Sequence, residues 1–162
     1  MKTQKNGFLA SAFANLLCKH RLPELENAPT DMIVPVPMFW RQRLTRGVNP
    51  AELLANELGK LLNKPVEHIV KKNRETLTQH FLSAKDRIEN VRDAFSVRQT
   101  HQTGWLPNCW SRWLRPNIDI RGKNILLVDD VITTGSTCNE VSCVLLKNGV
   151  KSVVAVAVAR TA

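Results

Sequence analysis

No stretch of the 162-residue chain approaches the ~20 consecutive apolar residues that a membrane span requires, and Lys2 and Lys5 precede no signal-like apolar segment. Cytoplasmic placement is the expectation. The four cysteines, Cys18, Cys109, Cys138 and Cys143, form no C-x-x-C pair, and the four histidines, His20, His68, His80 and His101, are scattered. No zinc site is expected from that spacing, and the thiols should be reduced. The glycine-rich nucleotide fingerprints are missing as well. Neither G-x-x-x-x-G-K-[ST] nor G-x-G-x-x-G occurs, which sets aside P-loop triphosphatases and dinucleotide enzymes. There are no internal repeats.

Acidic residues are scarce: 14 Asp and Glu stand against 23 Lys and Arg, a net charge of +9. Such a surface welcomes anions, but charge alone does not separate nucleic acid from a small polyphosphate. The cations gather at Arg41, Arg43 and Arg46, at Lys71, Lys72 and Arg74, and at Arg112 and Arg115. Hydrophobic content of 43% with 23% charged residues is that of a globular protein. The whole length, residues 1–162, reads as one domain that buries roughly two thirds of its unfolded surface.

Along the chain, Phe8, Leu9, Ala12, Phe13, Leu16 and Leu17 recur at helical spacing, predicting an amphipathic helix from about Gly7 to His20 with its aromatics in the core. "DMIVPVP" reads as a short buried strand that Pro35 and Pro37 confine to an edge or end in a turn. In "NPAELLANELGKLLNKP", Asn49 is the N-cap, Pro50 the first helical residue, and Glu52 stands in capping-box register before Leu53, Leu54, Leu58, Leu61 and Leu62. "VEHIV" has strand character. The polar stretch from Asn73 to Arg87, with a helix start at Ser83 and Asp86, has the length and composition of a lid.

At about residues 100–118 an insert carries Trp105, Trp110 and Trp113 among prolines and arginines, and an irregular excursion is expected. It suits the stacking of single-stranded nucleic acid bases, and equally packing over a sheet edge, self-association into a homo-oligomer, or a disordered loop. The remainder reads as a strand, a helix from about Ser136 to Asn148 stopped by Gly149, and the run "SVVAVAVA" as a strand buried on both faces. A βαβ unit of this kind implies an α/β fold with a mainly parallel sheet and a right-handed crossover.

The chemistry concentrates in "NILLVDDVITTGST", Asn124 to Thr137. Ligands of open α/β sheets sit beyond the carboxyl ends of the strands, where the next helix offers unpaired N–H groups. There Gly135 permits close backbone approach, while Thr133, Thr134, Ser136 and Thr137 can donate to phosphate oxygens. Asp129 and Asp130 would repel a phosphate unless hydroxyls or a metal intervened. Carboxylates accept hydrogen bonds from sugar hydroxyls and can hold Mg2+ directly or through water, so the pair beside the cradle suits a ligand with ribose, phosphate and metal. Mere capping of the turn is the bland alternative. A receiver domain places its acids near the domain's start, and too little chain follows Asp130 here.

These residues carry a resemblance. "ILLVDDVITTGST" is similar to the signature by which type I phosphoribosyltransferases bind phosphoribosyl pyrophosphate (PRPP). "IVPVPMFWRQRLTRGVNPAELLA" and "TQHFLSAKDRIENVRDAF" further resemble the ComF/GntX subgroup, linked in bacteria to natural competence and DNA uptake. The resemblance implies the type I phosphoribosyltransferase fold, a central mainly parallel sheet flanked by helices with a small hood region. It further implies that Asp129 and Asp130 contact the ribose hydroxyls of PRPP and its Mg2+, and that Thr133, Thr134, Gly135, Ser136 and Thr137 hold the 5′-phosphate. "VPVPMFW" would form the pyrophosphate loop, with Arg41, Arg43, Arg46 and Lys72 as candidates for the diphosphate. Arg74 joins the acids as a catalytic candidate, on the mobile loop with "TLTQHF". Either transfer of phosphoribose or PRPP sensing by a competence accessory protein follows, the latter with single-stranded DNA or uptake proteins as partners. ComF-like proteins commonly begin with a cysteine-rich, zinc-binding region. This sequence starts with "MKTQKNGFLASAFANLL", which resembles what normally follows it, so a shortened member or an incomplete chain is expected.

Overall fold

Four consecutive apolar residues can all be buried in a strand only when both faces of the sheet are covered, because successive side chains point to opposite sides. Ile125, Leu126, Leu127 and Val128 meet that condition, each at most 1% exposed. The structure is a computed structural model that describes residues 11–17, 19–20, 24, 27–76, 91–98 and 118–160. In chain order its elements are β1 (Met32–Pro35), α1 (Trp40–Arg46), α2 (Pro50–Leu62), β2 (Val70–Lys72), β3 (Phe95–Val97), β4 (Asn124–Ile132), α3 (Ser136–Lys147) and β5 (Ser152–Arg160). Strand β4 lies between β1 and β5, parallel to both.

The alternation of β4 divides the core. Ile125 and Leu127 join Met32, Val34, Val141 and Leu145 on the face covered by α3, and Val70 and Phe95 extend that cluster. Leu126 and Val128 join Ile33, Leu54, Ala55 and Leu58 on the face covered by α2. A second, two-stranded antiparallel sheet pairs β2 with β3, Val70 opposite Val97 and Lys72 opposite Phe95.

Local chemistry explains the sharpest boundaries. Helix α2 starts as its sequence dictates, with Pro50 at the first position and the Asn49 side chain accepting from Ala51 N–H at 3.2 Å. Glu52 carries its carboxylate to Arg43 of α1. Beyond α2 the chain doubles back closely. A Cβ on Gly59 would lie 2.5 Å from Val66 Cγ2 and 3.0 Å from Lys64 O, and this tight return lets Val66 bridge Ile33. Pro35 is in phase with Ile33, whose N–H bonds Pro65 O away from β4, so the missing N–H of Pro35 falls on that outer side.

Several expectations change. The run Ser152–Arg160 forms β5, but among the described residues it is the outer strand of the sheet and Val154 is 41% exposed, so it is not buried on both faces. Small apolar side chains pack against β4 equally well from an edge. Residues 11–17 are helical, yet Phe13 and Leu16 face outward at 41% and 51% exposure, and it is Ala14 and Leu17 that meet the α2-side core. The strand expected at "VEHIV" is a single bridge at Val66, with the strand proper beginning at Val70. Helix α1 was not foreseen. The start of the N-terminal helix, the helix start at Ser83 and the Trp-rich insert lie outside the described residues. Among the described residues no helix is long and apolar enough to cross a membrane.

Candidate functional site

Parallel pairing brings the carboxyl ends of β1 and β4 to one edge of the sheet. Pro35 is in register with Val128, and Val36 N–H donates to Val128 O at 2.8 Å. The loop after β1, residues 36–39, therefore lies beside the start of the acidic pair. Such an edge is where open α/β sheets take their ligands.

Asp129 and Asp130 are consecutive in β4, so their side chains leave opposite faces of the strand. Asp129 continues the row of Ile125 and Leu127 towards α3. Its Oδ1 accepts from Asp130 N–H at 2.9 Å and its Oδ2 from the Cys138 thiol at 3.7 Å. Burial, reinforced by the neighbouring Asp130 carboxylate, pushes the Asp129 carboxyl up to about 7. Burial, reinforced by the charge of Asp129, likewise pushes the Cys138 thiol up to about 12, which keeps it a hydrogen-bond donor at neutral pH. Asp130 continues the row of Leu126 and Val128, and its Oδ1 accepts from Val131 N–H at 2.9 Å.

Three residues beyond β4 the chain turns into α3. Gly135, in the left-handed region at φ 78°, caps that helix with backbone alone. The helix runs twelve residues, and the positive end of its dipole opens onto the turn. Ser136, 8% exposed, has its hydroxyl hydrogen-bonded to that of Thr134, while Thr133 and Thr137 are half-buried. A single turn thus brings together all five residues expected to hold a phosphate.

The cations divide differently. Lys72, half-buried at the end of β2, donates to Thr76 Oγ1 at 2.7 Å, and its ammonium stands 5.7 Å from the centroid of the Phe95 ring. Burial lowers its pKa, and the charge of Asp129 is the strongest effect acting the other way. The structure thus brings Lys72 towards the acids. Arg74 is exposed and donates through Nη2 to Arg92 O at 2.7 Å, tying the chain after β2 to the chain before β3. On α1, Arg43 forms a fork with Glu52, Nη1 to Oε2 at 3.1 Å and Nη2 to Oε1 at 3.4 Å, with His68 Nε2 3.8 Å from Glu52. The Arg41 guanidinium lies 5.3 Å from the Trp40 ring centroid, and Arg46 is the last residue of α1.

Sequence reasoning missed two contributors to this edge. The sequence marks Cys138 only as a reduced thiol, although its place in the first turn of α3 aims it back at β4. The sequence marks Asn49 as a cap, whereas its amide also donates to Val36 O at 2.9 Å.

A βαβ unit carrying D-D-V-I-T-T-G-S-T at its strand-to-helix turn defines a phosphoribosyltransferase-type domain. The chain matches the phosphoribosyl transferase domain family over residues 31–162 and belongs to it, as a member of the ComF type. It is 38% identical over 124 residues to competence protein F of Haemophilus influenzae, covering 76% of this chain and 47% of that protein. It is 32% identical over 157 residues to the DNA utilization protein YhgH of Escherichia coli, covering 94% of this chain and 61% of that one. The chain therefore spans about half to three fifths of the length of these relatives. Among solved structures it is similar to TT1426 from Thermus thermophilus, with 15% identity, a TM-score of 0.49, and coverage of 91% of this chain and 72% of that one.

Proposed function

We propose that the chain binds PRPP together with Mg2+ and acts on, or senses, its phosphoribosyl group. The observation that carries this reading is the glycine-capped N-terminus of α3 directly beyond a strand-end acidic pair. In it, residues 133–137 hold the 5′-phosphate and the two aspartates take the ribose hydroxyls. Among the described residues no group of three or more His, Cys, Asp or Glu is placed to hold a metal ion. Two carboxylates suit a Mg2+ that arrives with the substrate's own phosphates and waters, the usual way this ion binds.

The loop of residues 36–39, with Arg41, Arg43, Arg46 and Lys72, then faces the diphosphate. In transfer, the bond from the anomeric carbon to the diphosphate oxygen breaks and negative charge grows on the leaving group. Cations aimed at that oxygen lower the barrier. Arg74 stands at the root of the segment that would close over the site, and closure keeps water from the ribosyl cation. Calorimetry with PRPP and Mg2+ tests the reading, followed by a nucleobase panel scored for pyrophosphate release. Binding that requires Mg2+ is expected, and no binding in its presence would overturn it.

The names of the relatives favour a second reading, in which the same site is the sensor of a competence or DNA utilization protein that handles single-stranded DNA or contacts uptake proteins. Trp40, 57% exposed beside Arg41, offers a stacking surface for it. DNA affinity that falls steeply with salt supports this role, because phosphate contacts release counterions. Affinity indifferent to salt counts against it.

A further inference from the structure

Asn49 makes more bonds than its place in the sequence requires. It is only 8% exposed. Its backbone carbonyl accepts from Leu53 N–H at 3.1 Å and its Oδ1 from Ala51 N–H at 3.2 Å, which completes the cap of α2. A cap needs only the acceptor, and serine or aspartate supplies it as well. The amide nitrogen is surplus to that task, and it donates to Val36 O at 2.9 Å.

Val36 is the first residue beyond β1, and its N–H is bonded to Val128 O of β4 at 2.8 Å. It is therefore gripped on both sides, by the central strand through its N–H and by the head of α2 through its carbonyl. The next residue is Pro37, whose φ the ring fixes. With the Val36 carbonyl held and the Pro37 torsion fixed, the direction in which the backbone leaves towards Met38 and Phe39 is largely determined. We infer that Asn49 is a positioning residue for the loop of residues 36–39, holding its backbone in the orientation that receives a diphosphate. This rests on the PRPP reading above.

Asn49→Ser separates the two duties, since a serine hydroxyl can cap α2 but cannot donate to Val36 O. Asn49→Asp also keeps the cap and sets a carboxylate oxygen against that carbonyl. The full chain and both variants are compared by amide hydrogen exchange, and by calorimetry with two probes, magnesium pyrophosphate and ribose 5-phosphate. In both variants we expect the Val36 amide to exchange at least tenfold faster while α2 keeps its protection. Pyrophosphate should bind at least tenfold more weakly, and ribose 5-phosphate within twofold of the parent. An Asn49→Ser protein that matches the parent in Val36 exchange and pyrophosphate affinity overturns the inference alone. So does a variant that loses α2 protection and both ligands together, since that marks a merely structural cap. A parent that binds neither probe overturns the PRPP reading and this inference with it.

Discussion

The acidic and basic sides of the candidate site are built on different foundations. Asp129 and Asp130 stand on a nine-residue strand buried between two helices, and the turn after them leads into a twelve-residue helix. Arg41, Arg43 and Arg46 stand on a seven-residue helix, Lys72 on a three-residue strand and Arg74 just beyond that strand. The acids are placed by core backbone, whereas Arg43 is held by Glu52, Arg74 by the Arg92 carbonyl, Lys72 by Thr76 and Arg41 by Trp40. An exposed ion pair contributes only about 0.2–1 kcal/mol, so Arg43 can leave Glu52 at little cost. One side is preorganised and the other can be rearranged by a ligand.

Loss of the two acids should have the largest effect. Replacing both, Asp129→Asn with Asp130→Asn, should weaken Mg2+-dependent PRPP binding about 100-fold or more, a loss of about 3 kcal/mol by calorimetry. The preorganised side should also carry a cost of its own. Because the Asp129 carboxyl rises from 3.8 to about 7 on folding, the folded chain holds that proton more tightly than the unfolded chain. Stability contributed there is complete below about pH 4 and lost as pH rises through about 7. An amide in its place does not titrate, so Asp129→Asn should match the parent at pH 4 and exceed it by about 2–4 kcal/mol at pH 8, read from denaturant midpoints.

Smaller effects are expected away from the acids. Gly59→Ala drives a methyl into Val66 where the chain returns to bridge β1, and about 1–3 kcal/mol of stability should be lost on chemical denaturation. Glu52→Gln should cost under about 1 kcal/mol, since it loosens only an exposed fork. If the cations are rearrangeable, pyrophosphate affinity in that variant should hold or rise about twofold by calorimetry, since about 0.4 kcal/mol is all that such a change involves. A clear fall would show that Glu52 holds Arg43 in the binding position instead.

What the sequence disclosed follows the same division. The βαβ unit and the start of α2 were legible because periodicity, a proline and a capping asparagine are local signals. Helix α1 was not, because "WRQRLTR" is short and its apolar pair, Trp40 and Leu44, faces outward at 57% and 75% exposure instead of into the core. The edge position of β5 was hidden, since an apolar run of valine and alanine reads alike in a central or an outer strand. The phosphate cradle and acidic pair were visible as a motif. The bonds from Asn49 to Val36 and from Cys138 to Asp129 were not, because they depend on how the sheet sets helices beside strands. Of the stretch expected to act as a lid, residues 77–87 fall outside the described residues, as does the Trp-rich insert.

The alternation of β4 has a consequence for any ligand that touches both aspartates. One carboxylate belongs to the row backed by α3 and the other to the row backed by α2, so such a molecule straddles the rim of the sheet. It acts as a clasp between two otherwise separate halves of the interior. Opening either half would mean releasing it, and occupancy should slow amide exchange in α2 and α3 in step, by a factor set by ligand concentration over its dissociation constant.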